Sequence, residues 1–192
     1  MEINLDINYY EYYNLVRKSE LINGIIETIS LFDEHTLYLT GGVLRNSIWN
    51  KLHLREESIF TDDCDIIYYN KDINKYHEKL IEDFLHNLSP NINWSVKNQA
   101  RMHIRNNHAQ YQNINDALKC FPETASSIAI SGSWDIIAPY GFNDIMNLKL
   151  QPTQFCWINE LEVYMKRVEN KRWLSNFPML KECDLKYQFD FF

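Results

Sequence analysis

The stretch LTGGVLRN (residues 39–46), followed after a short gap by TDDCDIIYY (residues 61–69), decides how this chain reads. Two of the five glycines in the chain, Gly41 and Gly42, close an apolar run there. Leu37 to Thr40 is a short predicted strand, and VLRNSIWNKLH after the glycines reads as a helix with Leu44, Ile48 and Leu52 on one face. A Gly-Gly between a strand and a helix N-terminus lets a ligand come close to the backbone. The exposed N–H groups and the helix dipole at that point favour phosphate. Arg45, in the first turn, opposes the dipole, which makes sense if it faces an anion; a tight turn with a solvent-facing arginine also fits.

The second half of the stretch predicts a strand over CDIIYY. Side chains alternate along a strand, so Asp63 and Asp65 share one face while Cys64, Ile66 and Tyr68 point to the other, toward packing. Asp62 belongs with the latter set unless the strand begins after it. Two unpaired carboxylates this close repel, so a cation is expected between them. Mg²⁺ favours one or two carboxylates together with phosphate oxygens. By itself the pair also fits a solvated strand end; next to the glycine turn it describes a phosphate cradle beside a metal site.

Working outward, 192 residues suit a single domain with a real core. The formal charge of −7 argues against broad, non-specific nucleic-acid binding. No apolar run approaches a membrane span, and MEINLDINYYEYYN has neither a basic nor an apolar leader region, so no membrane association and no signal peptide are expected. Cys64, Cys120, Cys156 and Cys183 are far apart, which speaks against zinc or disulfides and for a reducing cytoplasm. Two helical patterns open the chain, the second (SELINGIIETISLF) with Ser19 as N-cap. INKYHEKLIEDFLHNL reads as a helix stopped at Ser89-Pro90, INWSVK as a third strand, and DALKCF as helix up to Pro122. SSIAI and WDIIA look like a hairpin turning at Ser131-Gly132. FNDIMNL is a short helix, KLQ a strand end, and INELEVYMKRVENKRWL one basic helix. Strands alternating with helices predict an α/β (α+β) fold: a mixed sheet flanked by helices, with helical N- and C-terminal extensions. The expected organisation is one domain over 1–192, its core at about 31–153 and a helical extension at about 154–192.

Gly-Gly followed by a D-x-D that starts 21 residues beyond Gly42 resembles the polymerase-β-like nucleotidyltransferase superfamily. GGVLRN looks like the head motif of tRNA nucleotidyltransferases and poly(A) polymerases. The blocks GGVLRNSIWNKLH, DCDIIYYN, WSVKNQARMH, FPETASSIAI and IIAPYGFNDIMNLKLQPT are similar, in this order, to those of a group of small bacterial nucleotidyltransferase-family proteins. The resemblance implies a nucleotidyltransferase fold and metal-dependent transfer of a nucleoside monophosphate from a nucleoside triphosphate to an acceptor, with release of pyrophosphate. It assigns Gly41 and Gly42, with Arg45, to the β- and γ-phosphates, and Asp63 and Asp65 to Mg²⁺ or Mn²⁺ in a two-metal site. A third carboxylate on a neighbouring strand is usual; Asp135, between Trp134 and Ile136, is the candidate, while INWSVK carries Ser95 where relatives often carry an acid. The acceptor, whether small molecule, protein or RNA, is not legible. A degenerate nucleotide-binding protein and an RNA-binding or toxin–antitoxin-type module are the alternatives.

One feature stands apart from any family. Between Asp83 and Asp116 there is no acidic residue, and Lys97, Arg101 and Arg105 lie at i, i+4, i+8. On one helix such a stripe is mildly unfavourable unless an anion bridges it, so Lys97 and Arg101 are expected to hold a phosphate; a solvated face is the plain alternative. Trp94 and Tyr111 flank the window and would be available for base stacking or for burial. The basic set Lys166, Arg167, Lys171 and Arg172 reads as a solvated helix face, with contact to a polyanionic acceptor as the alternative.

Overall fold

A computed structural model describes residues 7–56 and 63–183 of the chain. Asp62, which the alternation left on the packing side, lies outside the described residues. A five-stranded sheet forms the centre: β1 (Tyr38–Thr40), β2 (Cys64–Tyr68), β3 (Trp94–Asn98), β4 (Ala129–Ser131) and β5 (Ile136–Ile137), in the spatial order β3-β2-β1-β4-β5. All pairings are antiparallel except β2 with β3. A parallel pair needs a long crossover, and α4 (Lys75–Leu88) supplies it. The mixed sheet and flanking helices are those expected from the sequence.

The period-two pattern divides the sheet into two unlike faces. Leu39, Cys64, Ile66, Tyr68, Val96 and Ile130 point into the main core, which α1 (Ile7–Arg17), α2 (Glu20–Ser30), α3 (Gly42–Leu52) and α4 help to cover. Ser19 caps α2, its Oγ accepting the Ile22 N–H at 3.1 Å. The opposite face has a thinner cover. Ile67 and Ala129 meet Ile114 and Leu118 of α6 (Ile114–Lys119), and α5 (Gln99–Asn106) stands beside it. Thr40, Asp65, Ser95 and Lys97 belong to this second face, and a cavity of about 460 Å³ opens over it.

The sheet edge at β3 is closed by carboxylates of α4. Glu82 Oε1 accepts the Val96 N–H at 2.9 Å, and Glu78 Oε1 accepts the Asn98 N–H at 2.8 Å. This covers an edge that would otherwise offer unpaired donors.

A 3₁₀ turn, Thr124–Ser126, precedes β4, and the short α7 (Asn143–Met146) follows β5. The single helix expected from Ile158 to Leu174 is three: α8 (Gln154–Asn159), α9 (Leu161–Asn170) and α10 (Trp173–Asn176). Glu160 leaves helical conformation at φ −144°, and Arg172 adopts a left-handed φ of 50°. Periodicity continues through both joints, so it could not show them. On either side of these three helices, β6 (Lys149–Leu150) pairs in parallel with β7 (Lys181–Glu182). Among the described residues, no helix is long and apolar enough to cross a membrane.

Candidate functional site

The loop after β1 carries Gly41 at φ 71° and ψ −131°, a conformation that only glycine enters without strain. A Cβ on Gly41 would stand 2.9 Å from Asp65 Oδ2. The carboxylate of Asp65 is thus seated directly on the glycine turn. Helix α3 begins at Gly42 with no side-chain cap. The bond from the Arg45 N–H to the Gly41 carbonyl, at 3.1 Å, is its first, so the N–H groups of Gly42, Val43 and Leu44 precede the internal ladder. A short polar-capless helix start beside a carboxylate suits a phosphate and a cation together.

Register explains which groups meet Asp65. Ser95 lies directly opposite it on β3, and Lys97 stands two residues further along the same face. Burial and the neighbouring charge of Asp63 push the Asp65 carboxyl above the usual carboxylate range, against the opposing pull of Lys97, the Ser95 hydroxyl and Arg167. Asp63 is exposed and accepts a hydrogen bond from Asn93 Nδ2 at 2.6 Å. The cation expected between the carboxylates is thereby partly anticipated by Lys97 and Arg167.

Three of the expected residues stand elsewhere. Asp135 precedes β5, with its backbone carbonyl bonded to the Ser131 N–H at 2.9 Å, and its side chain receives Ser133 Oγ at 2.6 Å. Ser131 pairs with Tyr38, at the end of β1 remote from Gly41. Three strand spacings separate β5 from β2, about 14 Å. Asp135 cannot share a ligand with Asp65, and the position opposite Asp65 belongs to Ser95.

Arg45 is 3% exposed, and its guanidinium is taken up by buried partners behind Gly42. Its Nη1 donates to Glu123 Oε1 at 3.1 Å and to Ser126 Oγ at 2.7 Å, and its guanidinium lies over Trp173 at 4.4 Å. Arg101 is clamped by Glu78, with Nε donating at 2.7 Å and Nη2 at 2.5 Å. The expected stripe of three cations on one helix does not form, because Lys97 lies on β3 and only Arg101 and Arg105 lie on α5. The neutralising acids Glu78 and Glu82 come from α4, before the acid-free window. Lys97 Nζ donates to the Val96 carbonyl at 2.9 Å and is 3.5 Å from Glu82, yet its chain still lines the cavity. Trp94 and Tyr111 are 8% and 4% exposed, so they are packing residues.

Sequence reasoning missed Glu123 and did not foresee that Arg167, read as part of a basic helix face, binds it. Glu123 is fully buried and receives Arg167 Nε at 3.1 Å, Arg167 Nη2 at 3.0 Å and the Ser126 hydroxyl at 2.5 Å, besides Arg45. Burial pulls its carboxyl upward, but the Arg167 and Arg45 guanidiniums outweigh that and hold it below the ordinary value. Arg167 lines the cavity with Asp65, so α9 brings a cation to a site built by strands far away in sequence. One signal was available: Glu123 is the single charged residue between Lys119 and Asp135.

The far wall of the cavity holds Met102, Phe121 and a hydrogen-bonded trio. His108 Nε2 meets Glu160 Oε1 at 2.7 Å and His108 Nδ1 meets the Tyr111 hydroxyl at 2.5 Å. Among the described residues, no three His, Cys, Asp or Glu side chains gather as a ready metal cage.

A sequence family described as Nucleotidyltransferase matches residues 26–181. An NMR structure said to reveal a CCA-adding enzyme head domain is 27% identical, with a TM-score of 0.78 over 91% of this chain and 95% of that one. A Thermotoga maritima CCA-adding enzyme complexed with tRNA shares the fold at 11% identity and a TM-score of 0.58, covering 92% of this chain and 42% of its own. A CCA-adding enzyme complexed with CTP does so at 10% identity and a TM-score of 0.59, with 92% and 43% covered. The chain therefore spans less than half of each of these two longer enzymes. No curated protein matches the sequence.

Proposed function

The chain belongs to the nucleotidyltransferase family, within the polymerase-β-like superfamily, and from that premise we propose that it moves a nucleoside monophosphate from a nucleoside triphosphate to an acceptor and releases pyrophosphate. The observation that carries this is the seating of Asp65 Oδ2 against the Gly41 turn at the open start of α3. The α3 N–H groups would take the β- and γ-phosphates, whose charge the dipole favours. Asp63 and Asp65 would hold Mg²⁺ or Mn²⁺. The fit is chemical: a buried carboxyl already raised by its neighbour gains from a divalent cation, and two carboxylates with phosphate oxygens suit Mg²⁺. When bound, the metal polarises the α-phosphoryl group and offsets the charge of the leaving pyrophosphate. Ser95 offers a hydroxyl where a second cation would want a third carboxylate, so the residues suit one cation better than two.

Gly41 fixes the turn, Ser95 and Lys97 orient Asp65, and Arg167 supplies a standing positive field at the cavity wall. We read residues 1–192 as one domain, with tRNA, protein and small-molecule acceptors as the candidate classes. A second reading, nucleotide binding without transfer, draws on the same Ser95.

Thermal unfolding with Mg²⁺, with ATP or CTP, and with the pair tests the premise, since native-state ligands raise stability by mass action. A joint shift larger than the separate ones is expected; none from any nucleotide would remove the enzyme reading. Asp65→Asn should lose that joint shift. It should also stabilise the apo protein at neutral pH. A carboxyl raised in the fold costs stability as pH climbs from its unfolded value through its folded one, and the amide carries no such cost. Label from an α-labelled nucleotide in an acceptor separates transfer from binding.

A further inference from the structure

A second pocket, of about 280 Å³, lies against the 3₁₀ turn that precedes β4. Ser126, at one end of that turn, lines the cavity over Asp65, and Thr124, at the other end, lines this pocket; no residue lines both. We propose that the pocket binds the terminal ammonium of a small aliphatic amine. The site is separate from nucleotidyl transfer and does not depend on it.

Three segments build the pocket. Thr124 comes from the turn, Tyr140 and Asp144 from the chain between β5 and the end of α7, and Gln151, Thr153 and Trp157 from the chain between β6 and the end of α8. The main chain ties the first segment to the third. The Thr124 N–H donates to the Gln151 carbonyl at 3.2 Å, and the Thr153 N–H donates to the Pro122 carbonyl at 3.1 Å. Walls held this way are set before a ligand arrives, which lowers the cost of binding.

Charge selects the sign of the ligand. Asp144 is the only charged residue in the lining, is half-buried, and makes no ion pair with the described residues. Its Oδ2 accepts the Gln151 amide N–H at 2.5 Å, and a carboxylate has room for further donors. An anion would meet this charge with no cation in the walls to offset it. Thr124 is 6% exposed, and its hydroxyl has no hydrogen-bond partner among the described residues. Such a group calls for a partner. Tyr140 and Thr153 are committed elsewhere: the Tyr140 hydroxyl donates to the Lys119 carbonyl at 2.8 Å, and Thr153 Oγ1 donates to the Phe121 carbonyl at 2.6 Å and accepts the Cys156 N–H at 3.1 Å.

A carboxylate and a hydroxyl thus remain to receive hydrogen bonds, and an ammonium brings three donors and no acceptor. Tyr140 and Trp157, both half-buried, add aromatic surface that attracts an organic cation and packs against its methylenes. A hard divalent ion is a poorer match. It takes about six oxygen ligands, and the lining offers one carboxylate.

Calorimetric titration of the full chain with butylamine hydrochloride, at neutral pH and fixed ionic strength, tests this. Butanol and butyrate are the neutral and anionic controls. One saturable site is expected for the amine and none for the controls. Asp144→Asn keeps an oxygen for the Gln151 amide but removes the charge. It should weaken amine binding by about tenfold or more, with little change in the unfolding temperature of the free protein. Thr124→Val keeps the shape and loses only a hydroxyl without a partner. It should weaken binding by about threefold to tenfold and leave the free protein at least as stable. If Asp144→Asn does not fold, Thr124→Val carries the comparison. Equal amine binding in the variants would mean diffuse attraction to an acidic chain and would overturn the proposal. So would butanol binding as well as the amine, or no saturable heat up to about 50 mM, well above the millimolar range of a weak specific site. Failure of nucleotide and Mg²⁺ to bind would remove the enzyme reading and leave this one untouched.

Discussion

At the scale of single residues, the two adjacent glycines are not equivalent. Gly41 needs its positive φ and leaves no room for a Cβ, whereas a Cβ on Gly42 would find Arg45 Nη2 at 3.8 Å, an ordinary contact. Gly41→Ala should therefore cost about 1–3 kcal/mol and displace Asp65, while Gly42→Ala should stay within about 0.5 kcal/mol of the parent. Urea unfolding of the two variants distinguishes them; equal losses would mean that the turn is not built around Asp65. Glu123 makes a second residue-level case. Its carboxyl is held below the ordinary value, so its contribution is present above the unfolded value, about 4.3, and is lost as pH falls through the lower folded one. Glu123→Gln leaves Arg45 and Arg167 facing a neutral amide and should cost on the order of 3–5 kcal/mol at neutral pH. It should also flatten the fall of stability in acid. The glycines and aspartates were legible because their backbone roles are local. Glu123 and Arg167 were not, since each acquires its partner from a segment more than forty positions away, as the Arg167–Glu123 bonds show.

At the scale of elements, strands and helices followed from period and punctuation, and register did the rest. The alternation in CDIIYY separated Asp65 from Cys64 correctly, because a half-covered strand enforces a period of two. Patterning failed where a charged run looked like one surface. Lys97 and Arg101 sit on a strand and a helix, and α4 provides their acids. Only the strand pairing, which composition does not encode, brings Glu78 and Glu82 to that edge. Arg101→Ala should thus act on stability rather than on phosphate binding. The pair is largely buried and bidentate, and Glu78 also holds the Asn98 N–H, so a loss on the order of 2–3 kcal/mol is expected with the nucleotide–metal shift intact. A variant of unchanged stability that bound nucleotide weakly would restore the anion-binding role.

For the whole molecule, the boundary expected near residue 153 is a boundary of pattern only. The segments after it look like an appended basic helix, yet Tyr164, Val168, Trp173, Phe177 and Leu180 are all buried in the same core as β1 to β4. Trp173 packs edge-on against Trp49 with ring centres 5.8 Å apart, and Arg167 gives Glu123 its second guanidinium. Burying each of the five apolar side chains is worth about 1.5–3 kcal/mol. Their sum rivals the whole stability of an ordinary domain, about 5–15 kcal/mol. Ending the chain at residue 153 would expose that surface and strip Glu123 of one of its two arginines, leaving a buried guanidinium–carboxylate pair open to water on one side. The shortened chain should lose cooperative unfolding, retain helical far-ultraviolet circular dichroism and bind a hydrophobic dye, the signature of a collapsed but unpacked state. If it instead unfolded cooperatively at close to the temperature of the full chain, the last three helices would be a true appendage. The cation that Arg167 brings to the cavity would then have to be dispensable for the fold.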